Sequence, residues 1–143
     1  MQYRFLEDVA TADIAFEASG QTLEDVFTAS AEATLNVMIE DLATVEPREE
    51  RPISLAETSL EMLLFNFLQE IIFYKDAEQL LLRIAECRIE ESDGEFRVTA
   101  SGRGERLDPA RHEQRVDVKA VTLHQFRLEK RDPGWCAHVI LDI

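Results

Sequence analysis

The chain has 143 residues, enough for one domain with a real core, and 45% hydrophobic with 31% charged residues is a globular balance, which excludes a disordered chain. Fifteen basic against twenty-nine acidic side chains leave a net charge of −14, which repels phosphate backbones and argues against direct nucleic-acid binding. The same surface suits cation binding or docking on a basic protein.

No apolar run is long enough for a membrane span, because "LEMLLFNFLQEIIFY" is broken by Glu61, Asn66, Gln69 and Glu70. The start has no basic region followed by an apolar one, so no signal peptide is expected and the location reads as cytoplasmic. Cys87 and Cys136 lie far apart and read as two separate thiols of a reducing compartment.

In chain order, "YRFLED" and "DIAFEASG" read as short strands joined by "VATA", with Gly20 expected to take a positive φ at the end of the second. The period then changes. Leu23, Val26, Phe27, Ala31, Leu35 and Met38 recur at three- and four-residue steps, which predicts an amphipathic helix, started by Thr22 with Asp25 in a capping-box-like pair. "DLATVEPREERPI" reads as a surface connection and "ISLAE" as a strand. A second helix follows, with Leu60, Leu63, Leu64, Phe67, Leu68, Ile71 and Ile72 on its buried stripe and Ser59 as N-cap.

"LLRIAECRIEE" and "EFRVTASG" alternate with a two-residue period around "SDG", which predicts a hairpin. "RGERLDPARHEQ" reads as a loop. "RVDVKA", "LHQFRLEK" and "WCAHVILD" read as strands, the last two joined by "RDPG". In the last strand Trp135, Ala137, Val139 and Leu141 share one face. Two helices among seven or eight strands predict a single α+β domain over residues 1–143, a two-layer sandwich with a mainly antiparallel or mixed sheet packed against the two helices.

The motifs of common enzyme classes are missing: no GxGxxG, P-loop, GxSxG or CxxC. His112, His124 and His138 are too widely spaced for a typical zinc site, and the pairing of Cys136 with His124 as a nucleophile has nothing in its favour. Two acids stand out. Asp13 opens an otherwise apolar strand and Asp142 closes another, one residue before Ile143. Carboxylates in such settings are costly unless paired, and hard divalent cations take oxygen donors. If the first and last strands end together, Asp13, Asp142 and the terminal carboxylate of Ile143 form a compact oxygen site. The other reading leaves Asp13 bonded to its own turn and Asp142 solvated.

The stretches "TADIAF", "GQTLEDVFTASAEA", "LEMLLFNFLQEIIF", "GRGERLDPARHEQRVDVKAVTLHQFRLEK" and "VILDI", in this order, resemble the archease family. The run from Arg111-His112 to Lys119, Thr122 and His124 and the closing Asp-Ile carry most of that resemblance, since no periodicity dictates them. The resemblance implies a small acidic accessory protein, not itself an enzyme. It would activate a GTP-dependent RNA ligase that joins 2′,3′-cyclic phosphate or 3′-phosphate ends to 5′-hydroxyl ends in tRNA splicing and RNA repair. It further implies a divalent metal, calcium above others, held by Asp13, Asp142 and oxygen from Ile143, with His112 and Lys119 as candidate interface or structural residues. Two alternatives stay open: a chaperone-like modulator of a tRNA cytosine-5 methyltransferase, and a metal-dependent hydrolase, which lacks an evident general base. One departure is plain. The family pattern of an acid and a histidine before Thr-Ala-Asp is Val9-Ala10 here.

Overall fold

The computed structural model describes residues 1–6 and 13–143. The end of the first predicted strand, its connection to the second and Ala10 lie outside the described residues. Among the described residues the order is β1 (Gln2–Leu6), β2 (Asp13–Gly20), α1 (Leu23–Met38), a 3-10 turn (Leu42–Thr44), β3 (Glu49–Glu57), α2 (Leu60–Glu78), β4 (Leu80–Ser92), β5 (Glu95–Arg106), β6 (Ala120–Arg131) and β7 (Gly134–Asp142). No described helix is long and apolar enough to cross a membrane.

The α+β class is as expected, and every strand pair is antiparallel. The strands divide into two sheets, ordered β1-β2-β7-β6 and β3-β5-β4. The helices contact both: α1 packs on β1, β2 and β7 and also on β4, while α2 packs on β6 and on β3, β4 and β5. Their apolar stripes are the ones the spacing predicts. Val26, Phe27, Ala31, Leu35 and Met38 are buried on α1, and Leu63, Leu64, Phe67, Leu68, Ile71 and Ile72 on α2. The Phe27 and Phe67 rings meet at 5.4 Å between the helices. Ala137, Val139 and Leu141 of β7 and Phe16 and Ala18 of β2 close the core from the sheet side.

Both predicted helix starts are in place. The Thr22 hydroxyl accepts from the Asp25 N–H at 3.1 Å, and Ser59 from the Met62 N–H at 3.3 Å, each satisfying an amide that the first turn leaves open. Helix side chains also cover sheet edges. Glu24 accepts from the Ile89 N–H of β4, Glu61 from the Leu128 N–H of β6, and Gln69 from the Val121 N–H of β6. Edge amides that would otherwise invite another strand are used internally.

Four expectations change. The "EERP" stretch is the start of β3, an edge strand, where Pro52 has no ladder amide to lose. β5 runs on through "RGER" to Arg106. "RVDVKA" is extended but not a sheet strand before Ala120. Its Arg115 and Val116 amides bond the Met38 and Val37 carbonyls, so it caps the open C-terminal end of α1. Gly20 has no positive φ; a Cβ there would lie 2.3 Å from Cβ of Asp25, so the position needs space. Positive φ values occur instead at Gln79 and Gln125 (53° each) and at Asp93 (54°) and Gly94 (76°), the last two being the central residues of the β4–β5 turn. Two consecutive positive φ values at Asp93 and Gly94 make the hairpin that "SDG" predicts a type I′ turn.

Candidate functional site

β2 and β7 run side by side in opposite directions, and their register places Asp13 directly opposite Asp142. Directly opposed residues share a face, with Cβ atoms about 5 Å apart. Both aspartates are half-buried, as is Ile143, whose side chain packs against the core and holds the chain beyond Asp142 in place. On its other side Asp142 lies opposite Ala120 of β6, and the Lys119 N–H donates to the Asp142 carbonyl at 2.8 Å. The strand ends that the sequence reading required to meet therefore do meet.

The next row on this face is apolar. Ala15 and Ile140 are opposed and buried, with Thr122 beside Ile140. The Thr122 Oγ1 is buried and has no hydrogen-bond partner. One row further, Glu17 opposes His138, Arg4 pairs with Glu17, and His138 Nδ1 donates to the Gln125 carbonyl at 2.9 Å. Gln125 lies in the irregular part of β6 between Thr122 and Arg127, with φ 53°.

None of the ion pairs among the described residues involves Asp13 or Asp142. Two carboxylates directly across a ladder repel each other, and a half-buried position screens that repulsion poorly. An oxygen-seeking divalent cation between them would reverse the sign of the interaction, so the donor set fits a hard metal ion such as calcium or magnesium. Among the described residues no third histidine, cysteine, aspartate or glutamate side chain joins the pair. Further donors from this chain would be carbonyl or carboxylate oxygens, the type expected of Ile143.

The other predicted residues separate clearly. Lys119 is exposed beside the aspartates. His112 is 1% exposed and lies in a second cluster, so its burial fits the structural reading and leaves no surface for an interface. Its Nδ1 accepts from the Asp108 N–H at 2.9 Å, which leaves Nε2–H to donate to the Glu105 carboxylate at 2.9 Å. Cys136 is buried and burial pushes its thiol up; Cys87, also free, is pushed up to about 12 by burial. Neither is the low-pKa thiolate that nucleophilic attack needs.

Glu105 itself was not foreseen. It is 5% exposed at the end of β5 and accepts from the Glu46 N–H at 2.8 Å, from His112 and from Arg111, with Arg48 Nε at 3.3 Å. Burial alone would raise its carboxyl, but the Glu46 amide, Arg111 and His112 together outweigh burial and hold it at about 2. The cluster fixes the loop after β5, and the chain leaving that loop delivers Lys119 to Asp142. No sequence signal separates Glu105 from the other acids of "RGERLDPARHE". A cavity of about 520 Å³ opens at the opposite end of the β1-β2-β7-β6 sheet, between Arg4, Glu17, Trp135 and Cys136, and holds none of the predicted site residues.

Comparison with known proteins bears on the family and the fold. The model of the archease protein family (MTH1598/TM1083) matches residues 3–143. The archease of Thermococcus gammatolerans is 40% identical over 134 residues, covering 93% of this chain and 94% of its own, and that of Pyrococcus abyssi is 38% identical over the same shares. The solution structure of Methanobacterium thermoautotrophicum protein 1598 superposes with a TM-score of 0.85 at 34% identity, over 99% of this chain and 98% of the other. An archease from Thermotoga maritima, described as a possible chaperone, shares the fold with a TM-score of 0.60 at 22% identity over 98% of both chains. With a match that spans β1 to the end of β7, this chain belongs to the archease family.

Proposed function

We propose that this protein is a non-catalytic cytoplasmic accessory factor of tRNA splicing and RNA repair, which activates a GTP-dependent RNA ligase joining 3′-phosphate and 5′-hydroxyl ends. It promotes guanylylation of the ligase and its multiple turnover. Asp13 and Asp142, with oxygen from Ile143, hold a divalent ion, calcium in the first instance. When bound, that ion supplies positive charge beside the partner's nucleotide phosphates.

The observation that carries this reading is the direct opposition of Asp13 and Asp142 across β2 and β7, with no ion pair to either among the described residues. Family membership supports the accessory role. The charge of −14 supports a protein partner with a basic cleft, since an RNA-binding ligase must present one, and argues against the RNA itself as the contact. On this chain Asp13 and Asp142 orient the ion, the opposed strands hold the two carboxylates in register, and Lys119 adds a cation at the rim. A hydrolase reading would require a general base next to the pair, and none stands there among the described residues.

The test is multiple-turnover ligation by the cognate ligase with GTP and a divalent metal, with and without this protein. Acceleration by the intact chain, lost in Asp13→Ala and in Asp142→Ala variants that still fold, is the expected result. An intact chain without effect on ligation removes the ligase reading, and co-purification with a tRNA methyltransferase would then identify the partner. Association with the ligase should weaken as salt rises, because opposite charges bring the two together.

A further inference from the structure

The cavity of about 520 Å³ at the far end of the β1-β2-β7-β6 sheet takes no part in the carboxylate site, and its size is within the roughly 300–1,000 Å³ usual for small-molecule sites. Register explains why there is room. Ser19 of β2 stands directly opposite Cys136 of β7, and Gly134 opposite Arg131 of β6. The short side chains of Ser19 and Cys136 and the bare Gly134 all line the cavity and leave the sheet surface low there. Burial keeps the Cys136 thiol neutral, so this floor carries no charge. At Gly134 a Cβ would come within 2.0 Å of the Gly20 carbonyl oxygen. That close approach holds the β6–β7 turn against the end of β2, and the cavity is preformed.

Its walls differ in chemistry. Half-buried Trp135 and Pro133 present flat apolar rings, and Lys130 lies 6.0 Å from the centre of the indole. Across the floor Arg4 is paired with Glu17, so that carboxylate is compensated. Arg131 is then the remaining charged side chain among the described lining residues. Its pair with Glu129, at 3.3 Å, joins side chains that are 60% and 50% exposed. Such a surface contact is weak, and a better acceptor can replace it. Within a chain of net charge −14 this cavity is therefore locally cationic.

We propose that the cavity binds a small planar aromatic anion, with its ring on Trp135 and Pro133 and its carboxylate or phosphate on the Arg131 guanidinium. A guanidinium fork matches either head group, and an indole takes a flat ring against its face or edge. The site lies apart from Asp13 and Asp142 and does not depend on the ligase reading.

The experiment follows the indole N–H of Trp135 by two-dimensional NMR of the full nitrogen-15-labelled chain, whose single tryptophan makes the signal unambiguous. Two anions are titrated, indoleacetate for the carboxylate and adenosine monophosphate for the phosphate, beside the neutral compounds tryptophol and adenosine. At least one anion should move the signal to saturation with a dissociation constant of about 1 mM or below, and its neutral counterpart should bind at least about 10-fold more weakly. Arg131→Gln should reduce the anion to the level of the neutral compound. Arg88→Gln makes the same change of charge at an exposed arginine of β4 and should leave binding within about twofold of wild type. A response to one anion alone upholds the site and fixes its head group. The proposal is overturned by the lack of a saturable shift with either anion, by neutral compounds that bind as tightly, or by Arg131→Gln binding like wild type.

Discussion

Two acidic groups of this molecule, Glu105 and the Asp13–Asp142 pair, have opposite surroundings. Glu105 is nearly fully buried and is met by a backbone amide, an imidazole N–H and two guanidinium groups. Asp13 and Asp142 are only half-buried, face each other directly, and make no ion pair among the described residues. A carboxylate whose lone pairs are all used is part of the framework, because removing it orphans its donors. A carboxylate pair left uncompensated at a strand end is stable only to the extent that water or an external cation neutralises it. The contrast makes the first group part of the framework and leaves the second available to the cation proposed above.

The largest effect should come from the buried acid. Glu105→Leu leaves the Glu46 N–H and the His112 Nε2–H without an acceptor and should cost roughly 3 kcal/mol in urea unfolding. That figure is at the low end for a broken buried pair, because Arg48 and Arg111 still reach water. A loss below about 1 kcal/mol would break the comparison. The pH dependence follows from the same group. Its carboxyl is lowered from 4.5 to about 2 on folding, so the stabilisation it gives is complete above 4.5 and is lost as pH falls from there towards 2. Urea unfolding between pH 6 and pH 2.5 should show this loss, and Glu105→Gln should flatten that part of the profile.

Calcium at the proposed site should stabilise the wild type by about 2.7 kcal/mol at a hundredfold excess over its dissociation constant, the gain expected of a ligand that binds only the folded chain. Asp13→Asn or Asp142→Asn should remove that gain and leave Glu105→Gln responsive. The smallest effect sharpens the contrast most. In chelator, Asp142→Asn should stabilise the protein by about 0.5 kcal/mol, because it removes the repulsion across the ladder. Destabilisation there would mean that the aspartate makes a structural bond.

Residues alone made much of the architecture legible. The three- and four-residue steps over Leu23–Met38 and Leu60–Ile72 and the caps at Thr22 and Ser59 mark the helices. The alternation in β7 and the "SDG" hairpin mark strands. These are local signals, written in side-chain spacing. The site was legible only as two acids in odd places, since each aspartate taken alone also reads as a solvated end. Pairing them depended on register, which joins positions 129 residues apart in sequence and has no local trace. For the same reason "RVDVKA" read as a strand: its alternation is real, with Val118 buried, but its amides go to the end of α1.

By itself the sequence determined the class of the fold, the helices with their buried faces, the acidic surface and, through resemblance, the family. Only the tertiary structure decided that the strands divide into two sheets, that Asp13 stands opposite Asp142, that His112 is buried on Glu105, and that Arg4, Ser19 and Trp135 line one cavity. The first set follows from the period of single elements. The second follows from long-range pairing, where the energy of a charge or an apolar ring depends on neighbours supplied by distant parts of the chain.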